Sequence, residues 1–101
     1  MYTSGTTGKP KGVPNCHRGT LNLVNCLQSQ YAMDESDAIL QKTPFVFDIS
    51  VSEILWWSIT GAKLIILKPH EEKDAIMMVE EIEKNKVTIV DFVPSMLSVF
   101  L

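Results

Sequence analysis

The hydrophobic positions of the chain fall into two patterns, short continuous runs and longer helical repeats. The continuous runs predict three β-strands, at residues 38–41, 63–67 and 87–92. Residues 63–67, Lys-Leu-Ile-Ile-Leu, are apolar at nearly every position, which is typical of a parallel strand covered on both faces. Pro44 and Pro69 follow the first two runs and mark the ends of the predicted strands.

Helical repeats lie before and after the first predicted strand. In the first repeat, apolar residues recur at helical spacing as far as Tyr31, and Asn15 is the predicted N-cap. The second repeat has the Ser50-x-x-Glu53 pattern of a capping box, and Gly61 is its predicted end. It is apolar around so much of its circumference that we expect it to be buried between layers.

Two further helices complete the pattern. Residues 73–85 carry one apolar face and one charged face, and Pro94 opens a last helix. Strands that alternate with helices predict an α/β fold. We expect a layered, largely parallel sheet whose strands are joined by right-handed crossovers.

Length and composition are those of one ordinary globular domain. Of the 101 residues, 46% are hydrophobic and 21% are charged. The net charge of −3, with no basic cluster, argues against nucleic acid as a partner. Cys16 and Cys26 have no companion Cys or His at metal-binding spacing, so reduced thiols are expected. Because no signal peptide and no apolar run of membrane-spanning length is seen, we expect a cytoplasmic protein with no membrane partner.

The candidate chemistry is concentrated in residues 2–12, Tyr-Thr-Ser-Gly-Thr-Thr-Gly-Lys-Pro-Lys-Gly. Three glycines, four Ser/Thr hydroxyls and two lysines predict a concave, donor-rich loop that suits a polyphosphate. We expect this loop between a short strand and a helix N-terminus, where the helix dipole favours phosphate. It is not a Walker A loop, because Thr3 replaces the first glycine and Pro10 replaces the final Ser/Thr. The alternative is a flexible linker that binds nothing.

Residues 3–12 resemble the phosphate loop of the adenylate-forming superfamily. This superfamily includes acyl-CoA synthetases, luciferases and the adenylation domains of nonribosomal peptide synthetases. The resemblance implies ATP as a substrate, with its phosphates bound by Thr3, Ser4, Gly5, Thr6, Thr7, Gly8, Lys9, Lys11 and Gly12. It also implies Mg²⁺, whose ligand residue is expected outside this chain, and no metal-binding residue is predicted within the chain.

A second motif, Phe-Asp-Ile-Ser-Val-Ser-Glu-Ile at residues 47–54, resembles the F-D-x-S-V-x-E-[IM] motif of amino-acid adenylation domains. The resemblance extends through residues 92–95 and so covers nearly the whole chain. It implies that Asp48 binds the substrate ammonium group through a charge-assisted hydrogen bond. The remaining substrate-binding residues that it implies are Phe47, Ile49, Ser52 and Asp91. The alternative for Asp48 is a purely structural role, because an acid near a helix N-terminus favours the helix dipole without any ligand.

Asp91 ends an otherwise apolar predicted strand, where a buried carboxylate needs a partner. A cationic substrate side chain would supply that partner, and the small Ser52 suggests a roomy pocket, so a basic amino acid is one hypothesis. A solvated strand end is the alternative for Asp91. We interpret His17 as structural rather than as a general base, and His70 has no companion for a metal site.

The resemblance implies a reaction of amino acid and Mg-ATP that gives aminoacyl-AMP and pyrophosphate, followed by loading of a peptidyl carrier protein thiol. We expect residues 1–101 to be a partial AMP-binding domain that starts at the phosphate loop and is truncated at both ends. Such a fragment of the N-terminal domain is predicted to be inactive alone. The alternatives are a fragment of an acyl- or aryl-acid CoA ligase, a non-catalytic phosphate-binding or scaffold module, and a truncated product without independent function.

Overall fold

The computed structural model describes the whole chain, residues 1–101. The chain begins with an antiparallel hairpin of two short strands, β1 (Tyr2–Thr3) and β2 (Lys11–Gly12). The helices α1 to α4 follow, with the bounds His17–Tyr31, Ser50–Thr60, Ala75–Asn85 and Pro94–Phe100. Two more strands flank α2 in the sequence, β3 (Ala38–Gln41) and β4 (Lys63–Ile66).

The main sheet is built around β3. Strand β4 runs parallel to β3, with Lys63 opposite Ala38, and α2 makes the crossover between the two strands. On the other side of β3, Ile89 forms a parallel bridge to Ile39. The prediction of an α/β fold with a largely parallel sheet is therefore confirmed for this sheet, while the hairpin stands apart from it.

The predicted strand over residues 87–92 is reduced to that bridge. The Ile89 amide donates to the Ala38 carbonyl oxygen at 3.1 Å, and the Leu40 amide donates to the Ile89 carbonyl oxygen at 3.0 Å. Farther along, the ring of Phe92 packs on the ring of Phe100 in α4, with 4.7 Å between centroids. This packing directs Phe92 onto α4, and residues 90–93 form no strand, so the prediction of a full strand over residues 87–92 was wrong.

The ends of α1 and α2 differ in how well the sequence predicted them. Gly61 ends α2 in the left-handed conformation, φ 77°, as predicted, and its amide donates to the Trp57 carbonyl oxygen at 3.1 Å. At the start of α1, however, Cys16 is the N-cap residue. The predicted cap, Asn15, instead donates its side-chain amide to the Val13 carbonyl oxygen at 3.3 Å. Asn15 therefore ties the chain back to the hairpin rather than capping the helix.

Helix α3 begins two residues later than predicted. Residues Glu71–Lys73 form a 3₁₀ turn, and Asp74 then caps α3. The Asp74 carboxylate accepts hydrogen bonds from the amides of Ile76 at 3.0 Å and Met77 at 3.2 Å. An acidic cap of this kind satisfies amides that have no partner within the helix, and so it fixes where α3 starts.

The capping box predicted at the start of α2 is absent. Ser50 is the first residue of α2, and its hydroxyl donates to the Phe47 carbonyl oxygen at 2.6 Å. Ile49 holds the N-cap position in a helical conformation, without a side-chain cap bond. Glu53 accepts a hydrogen bond from the backbone amide of Thr43 at 3.0 Å instead of turning back to its own helix. The Ser-x-x-Glu spacing therefore reflects a tertiary contact.

Successive residues of β3 point to opposite faces of the sheet and enter two separate hydrophobic clusters. On one face, Ile39 packs in the same cluster as Val24 of α1 and Trp56 of α2. On the other face, Leu40 packs with Met78 of α3. Ile39 and Leu40 are both 0% exposed. Because burying one such side chain contributes about 1.5–3 kcal/mol, β3 anchors both layers.

The outer faces of α2 and β4 are open to solvent. Ile59 on α2 is 48% exposed, and Ile66 on β4 is 66% exposed. The predictions that α2 is buried between layers and that β4 is covered on both faces are therefore wrong for this chain. None of the helices combines the length and the apolar character needed to cross a membrane.

Candidate functional site

The predicted phosphate-binding residues lie on the N-terminal hairpin. Two bonds close the base of this hairpin, from the Val13 amide to the Met1 carbonyl oxygen at 2.7 Å and from the Met1 amino group to the Val13 carbonyl oxygen at 2.9 Å. Residues 4–10 form the loop between β1 and β2. The expected order of strand, loop and helix is therefore corrected, because β2 returns the chain to β1 before α1 begins. Strand β2 is too short to leave a periodic signal in the sequence.

Two glycines set the shape of the hairpin loop. The Gly8 amide donates to the Gly5 carbonyl oxygen at 3.1 Å, and Gly8 has a φ of 77°, where side chains are strained. A Cβ atom on Gly5 would overlap the carbonyl oxygen of Lys9. Both positions therefore require glycine for backbone reasons, independent of any ligand.

The loop carries hydrogen-bond donors that the protein itself does not use. Backbone amides of Thr6, Thr7 and Lys9 donate no hydrogen bond within the chain, and the hydroxyls of Ser4, Thr6 and Thr7 make none either. All of these residues are exposed, and no carboxylate lies within ion-pair distance of Lys9 or Lys11. Amides, hydroxyls and ammonium groups of this kind can all bind phosphate oxygens.

Three of the predicted substrate-binding residues line one cavity of about 360 Å³. Phe47, Asp48 and Ile49 reach it from the segment before α2, and Val93 and Met96 reach it from the start of α4. The cavity thus combines the carboxylates of Asp48 and Glu72 with apolar side chains from two parts of the chain. A ligand with an ammonium group beside an apolar group would match this lining.

Asp48 also borders a second cavity, of about 320 Å³, at the base of the hairpin. Met1, Val13 and Asn15 line that cavity together with Val51 of α2. Asp48 is therefore shared by the cavity near α4 and the cavity at the base of the hairpin. This placement puts Asp48 near Met1 and Val13, the residues that flank the phosphate-loop motif.

The surroundings of Asp48 are compatible with both roles considered for it. Its side chain is exposed, and its carboxylate accepts one hydrogen bond, from the Ile49 amide at 2.9 Å. Its backbone carbonyl oxygen accepts from the Val51 amide at 3.0 Å in the first turn of α2. A carboxylate has about four acceptor positions, so this contact with the helix start leaves most of them for a ligand.

Ser52 and Asp91 do not line the cavity of Asp48. Ser52 is buried, and its hydroxyl donates to the Ile49 carbonyl oxygen at 2.7 Å. Asp91 is half-buried and lines a different cavity, of about 520 Å³, where Tyr31 and Trp56 also lie. The five predicted substrate-binding residues therefore separate into one group of three and two residues elsewhere.

Sequence reasoning missed a buried ion pair beside this cavity. The Lys42 ammonium lies 3.9 Å from a carboxylate oxygen of Glu53, and their side chains are 2% and 0% exposed. Lys42 also lines the cavity of Asp48. Its signal in the sequence is a lysine directly after an apolar strand and shortly before a proline, and the apparent capping box concealed the role of Glu53.

The groups with shifted pKa values lie away from the cavity. On α3, a hydrogen bond from Lys84 at 2.8 Å lowers the pKa of Glu81, and the same contact raises the pKa of Lys84. In the turn after α1, hydrogen bonds from the Ser36 hydroxyl and amide lower the pKa of Asp34. The chain holds no group of three or more His, Cys, Asp or Glu residues that could bind a metal ion.

Comparison with known proteins identifies the family of this chain. The family model described as AMP-binding enzyme matches residues 1–101. The chain belongs to the AMP-binding enzyme family. It is similar to zwittermicin A synthase ZmaJ of Bacillus cereus, with 52% identity over 101 residues, and to polyketide synthase PksN of Bacillus subtilis, with 48% identity over 101 residues. These matches cover 100% of this chain but only 19% and 2% of those two proteins.

Solved structures confirm the adenylation-domain fold for this AMP-binding chain. The nonribosomal peptide synthetase FmoA3 matches 99% of the chain with a TM-score of 0.89 and 29% identity, over 10% of its own length. The adenylation domain AlmE of Vibrio cholerae matches 97% of the chain with a TM-score of 0.86 and 26% identity, over 18% of its own length. The resemblance to adenylation domains of nonribosomal peptide synthetases, drawn from the two motifs, is confirmed.

The AMP-binding fold is also found in a neighbour of a different kind. The N-terminal domain of FACL13 from Mycobacterium tuberculosis matches 99% of the chain with a TM-score of 0.81 and 28% identity, over 24% of that domain. The fold of this segment is therefore shared beyond the nonribosomal peptide synthetases, and substrate class must be argued from side chains.

Proposed function

We propose that this chain is the phosphate-loop part of an amino-acid adenylation domain of the nonribosomal-peptide-synthetase type. In the proposed reaction, the amino-acid carboxylate attacks the α-phosphorus of ATP, the bond to the bridging oxygen breaks, and pyrophosphate leaves. The product is an aminoacyl-AMP. A carrier-protein thiol then attacks its carbonyl carbon and releases AMP. Residues 1–101 supply part of the site, and the remaining groups come from elsewhere in a longer enzyme.

The observation that carries this proposal is the position of Asp48 between two cavities. One cavity has apolar side chains in its lining, as a substrate side chain needs, beside the charged groups of Lys42, Asp48 and Glu72. The other cavity lies at the base of the phosphate hairpin. A carboxylate at that junction can bind the α-ammonium group of an amino acid while the carboxylate of the same molecule points to ATP. Asp48 keeps free acceptor positions for this contact.

The hairpin loop is proposed to bind the phosphates of ATP. Its unused amides and hydroxyls, at residues 4–9, and the ammonium groups of Lys9 and Lys11 would stabilise the charge of the leaving pyrophosphate. Because the attacking group belongs to the substrate, the protein needs no nucleophile of its own, and positioning supplies the remaining catalysis. Mg²⁺ is proposed to be held by residues outside this chain, since the chain has no cluster of metal ligands.

Bound states of two similar proteins support this assignment. FmoA3 has been solved in an AMPPNP-bound form, and AlmE has been solved in complex with glycyl-adenosine-5'-phosphate. An ATP analogue and an aminoacyl adenylate are the substrate and product types of the proposed reaction. Three finer parts of the proposal rest on different support. The carboxylate of Asp91 and the small Ser52 support a basic amino acid, and the family resemblance supports a peptidyl carrier protein partner. The unpaired thiols of Cys16 and Cys26 support a cytoplasmic location.

The second candidate function is an acyl- or aryl-acid ligase, which the likeness to FACL13 brings into consideration. Such a ligase activates an acid without an α-ammonium group and has no use for a carboxylate in its substrate cavity. The exposed carboxylate of Asp48 in that cavity therefore favours the amino-acid reaction.

Pyrophosphate exchange into ATP tests the proposal on the full-length protein that carries this chain. We expect exchange that depends on an amino acid and stops when EDTA removes Mg²⁺. The substrate panel holds the proteinogenic amino acids, ornithine, fatty acids and aryl acids. Exchange with fatty or aryl acids alone would establish the second candidate. Binding of Mg-ATP without exchange for any acid would make the protein a non-catalytic phosphate-binding module.

A further inference from the structure

The Glu53 carboxylate holds the segment that leads to Asp48. It accepts hydrogen bonds from the Thr43 hydroxyl at 2.7 Å, the Thr43 amide at 3.0 Å and the Gln41 side-chain amide at 3.4 Å. Gln41 is the last residue of β3 and Thr43 lies two residues beyond it, whereas Glu53 lies in the first turn of α2. The contact therefore closes the segment from Thr43 to Ile49, which carries the substrate-binding residues, at both of its ends.

Hydrogen bonds inside that segment make it a defined loop. The Phe47 amide donates to the Pro44 carbonyl oxygen at 3.0 Å. The buried Ser50 hydroxyl donates to the carbonyl oxygens of Phe45 at 3.3 Å and Phe47 at 2.6 Å. Once its ends are fixed, such a loop has little freedom to move Asp48 independently.

Lys42 connects the same contact to the other side of the cavity. Its ammonium lies 3.9 Å from Glu53 and 3.5 Å from the Thr43 hydroxyl, and it sits 5.1 Å from the centroid of the Phe92 ring. Phe92 directly precedes Val93, which lines the cavity of Asp48. The ion pair therefore joins the Asp48 segment to the segment that enters α4.

Stability alone is a poor reason for such a pair. Two charges taken out of water lose hydration, and replacing a buried pair by apolar residues of similar volume is often neutral or stabilising. This pair is buried, its ions stand 3.9 Å apart, and it lies next to the cavity. These features fit a pair that fixes geometry.

We propose that Glu53 and Lys42 are positioning residues that set the place of Asp48 relative to the cavity residues Val93 and Met96. This inference rests on the proposed function, because it assigns the pair a role in binding the amino acid. Neither residue is required to touch the substrate. Loss of the pair would loosen the Asp48 loop while the phosphate hairpin, at the other end of the site, stays as it is.

Kinetics of variants in the full-length protein test the proposal. Glu53→Gln keeps the size of the side chain but removes its charge. Glu81 of α3, which is half-buried and pairs with Lys84 away from the cavity, supplies a matched control, Glu81→Gln. We expect Glu53→Gln to raise the KM for the amino acid about 10- to 100-fold, as displacement of a binding group does, with the KM for ATP unchanged. The control should change neither constant. Equal KM values for Glu53→Gln and wild type would overturn the proposal.

A double variant tests whether the two residues act as a pair. Lys42→Met alone leaves a buried carboxylate uncompensated, and Lys42→Met with Glu53→Gln removes both charges together. We expect the KM for the amino acid in the double variant to rise less than the product of the two single increases. A purely multiplicative effect would overturn the paired role. If Glu53→Gln does not fold, Glu53→Asp, which keeps the charge and shortens the reach, should still raise the KM for the amino acid above that of wild type and leave the KM for ATP unchanged.

Hydrogen exchange separates this inference from the proposed function. In the full-length protein, Glu53→Gln should speed amide exchange about tenfold or more at residues 43–50, with the hairpin unchanged. This readout needs no activity. Wild-type protein that exchanges no pyrophosphate refutes the proposed function, and faster amide exchange at 43–50 would then still support the positioning of the loop. Unchanged amide exchange refutes the positioning role even in an active enzyme.

Discussion

The phosphate hairpin and the Asp48 loop are shaped by different means. The hairpin loop is exposed, and its form depends on backbone features, the Gly5–Gly8 turn and the close approach of Gly5 to Lys9. The Asp48 loop is fixed by side chains that are themselves buried, above all Glu53. One half of the site can therefore be recognised from its glycines alone, whereas the other depends on contacts between distant parts of the chain.

The contrast predicts where mutations act. Changes to hairpin hydroxyls should alter phosphate binding with little effect on folding, because these groups make no contact inside the protein. Changes to the supports of the Asp48 loop should alter folding and amino-acid binding together. The following predictions run from the largest expected effect to the smallest.

Glu53→Ala should cost about 3–5 kcal/mol of unfolding free energy, because it leaves the buried Lys42 without its counter-charge and Thr43 without its acceptor. Urea denaturation measures this loss. Thr6→Ala, which removes an exposed hydroxyl of the hairpin, is the comparison and should alter the same free energy by less than about 0.5 kcal/mol. If Glu53→Ala lost no more unfolding free energy than Thr6→Ala, the proposed difference between the hairpin and the Asp48 loop would be contradicted.

Asp48→Asn should weaken binding of the amino acid by about 1.5–3 kcal/mol, the usual worth of a hydrogen bond to a charged group. The KM for the amino acid would then rise by roughly 10- to 100-fold, with the KM for ATP unchanged. Because Asp48 is exposed, the thermal midpoint of the variant should stay close to that of wild type. A large fall in the midpoint with unchanged kinetics would instead assign Asp48 to the helix start alone.

Gly8→Ala should cost about 1–2 kcal/mol, because it forces a side chain into the left-handed region at φ 77°. The strain is confined to the hairpin, so the KM for ATP should rise more than the KM for the amino acid. Gly19→Ala is the matched control: Gly19 lies within α1, where an added Cβ meets nothing within 4 Å. That change should stabilise the protein by roughly 0.5–1 kcal/mol, measured by the same denaturation.

The smallest expected effect is the pH dependence of the Glu81–Lys84 contact on α3. The folded pKa of Glu81 is lowered, so its contribution to stability is fully present above the unfolded pKa and is lost as the pH falls through the folded pKa. The folded pKa of Lys84 is raised, so its contribution to stability is fully present below the unfolded pKa and is lost as the pH rises through the folded pKa. NMR titration of the Glu81 carboxyl carbon should give a midpoint below the ordinary value of glutamate. Lys84→Met should move that midpoint upward.

Local patterns predicted much of the fold. The bounds of β3 were predicted in full, and Gly61 ends α2 as expected, because both depend on adjacent residues. The strand at 87–92 and the capping box at Ser50 failed for one shared reason. In each case the residue contacts a tertiary partner outside its local pattern: Phe92 packs on Phe100, and Glu53 accepts from Thr43.

The candidate site shows the same division. Phe47, Asp48, Ile49 and Ser52 were predicted from one motif, and the structure brings the first three of them to one cavity. Lys42 was missed, because a lysine directly after an apolar strand is only a weak signal of burial and its partner Glu53 was assigned to a capping box. The separation of Asp91 from that cavity follows from its backbone leaving β3 after Ile89, which no periodicity reveals.

The central place of β3 has a consequence for the order in which the chain can be completed. Both of its neighbours come later in the sequence, and Ala38 is bonded to Thr88, 50 residues farther on. At roughly 5–20 residues per second, a ribosome needs about 2.5 to 10 seconds to supply that last neighbour. Throughout this interval one edge of β3 has unpaired backbone amides and carbonyls, which another strand can bind. The helices satisfy their backbone groups locally, so β3 is exposed to incorrect pairing for longer than they are.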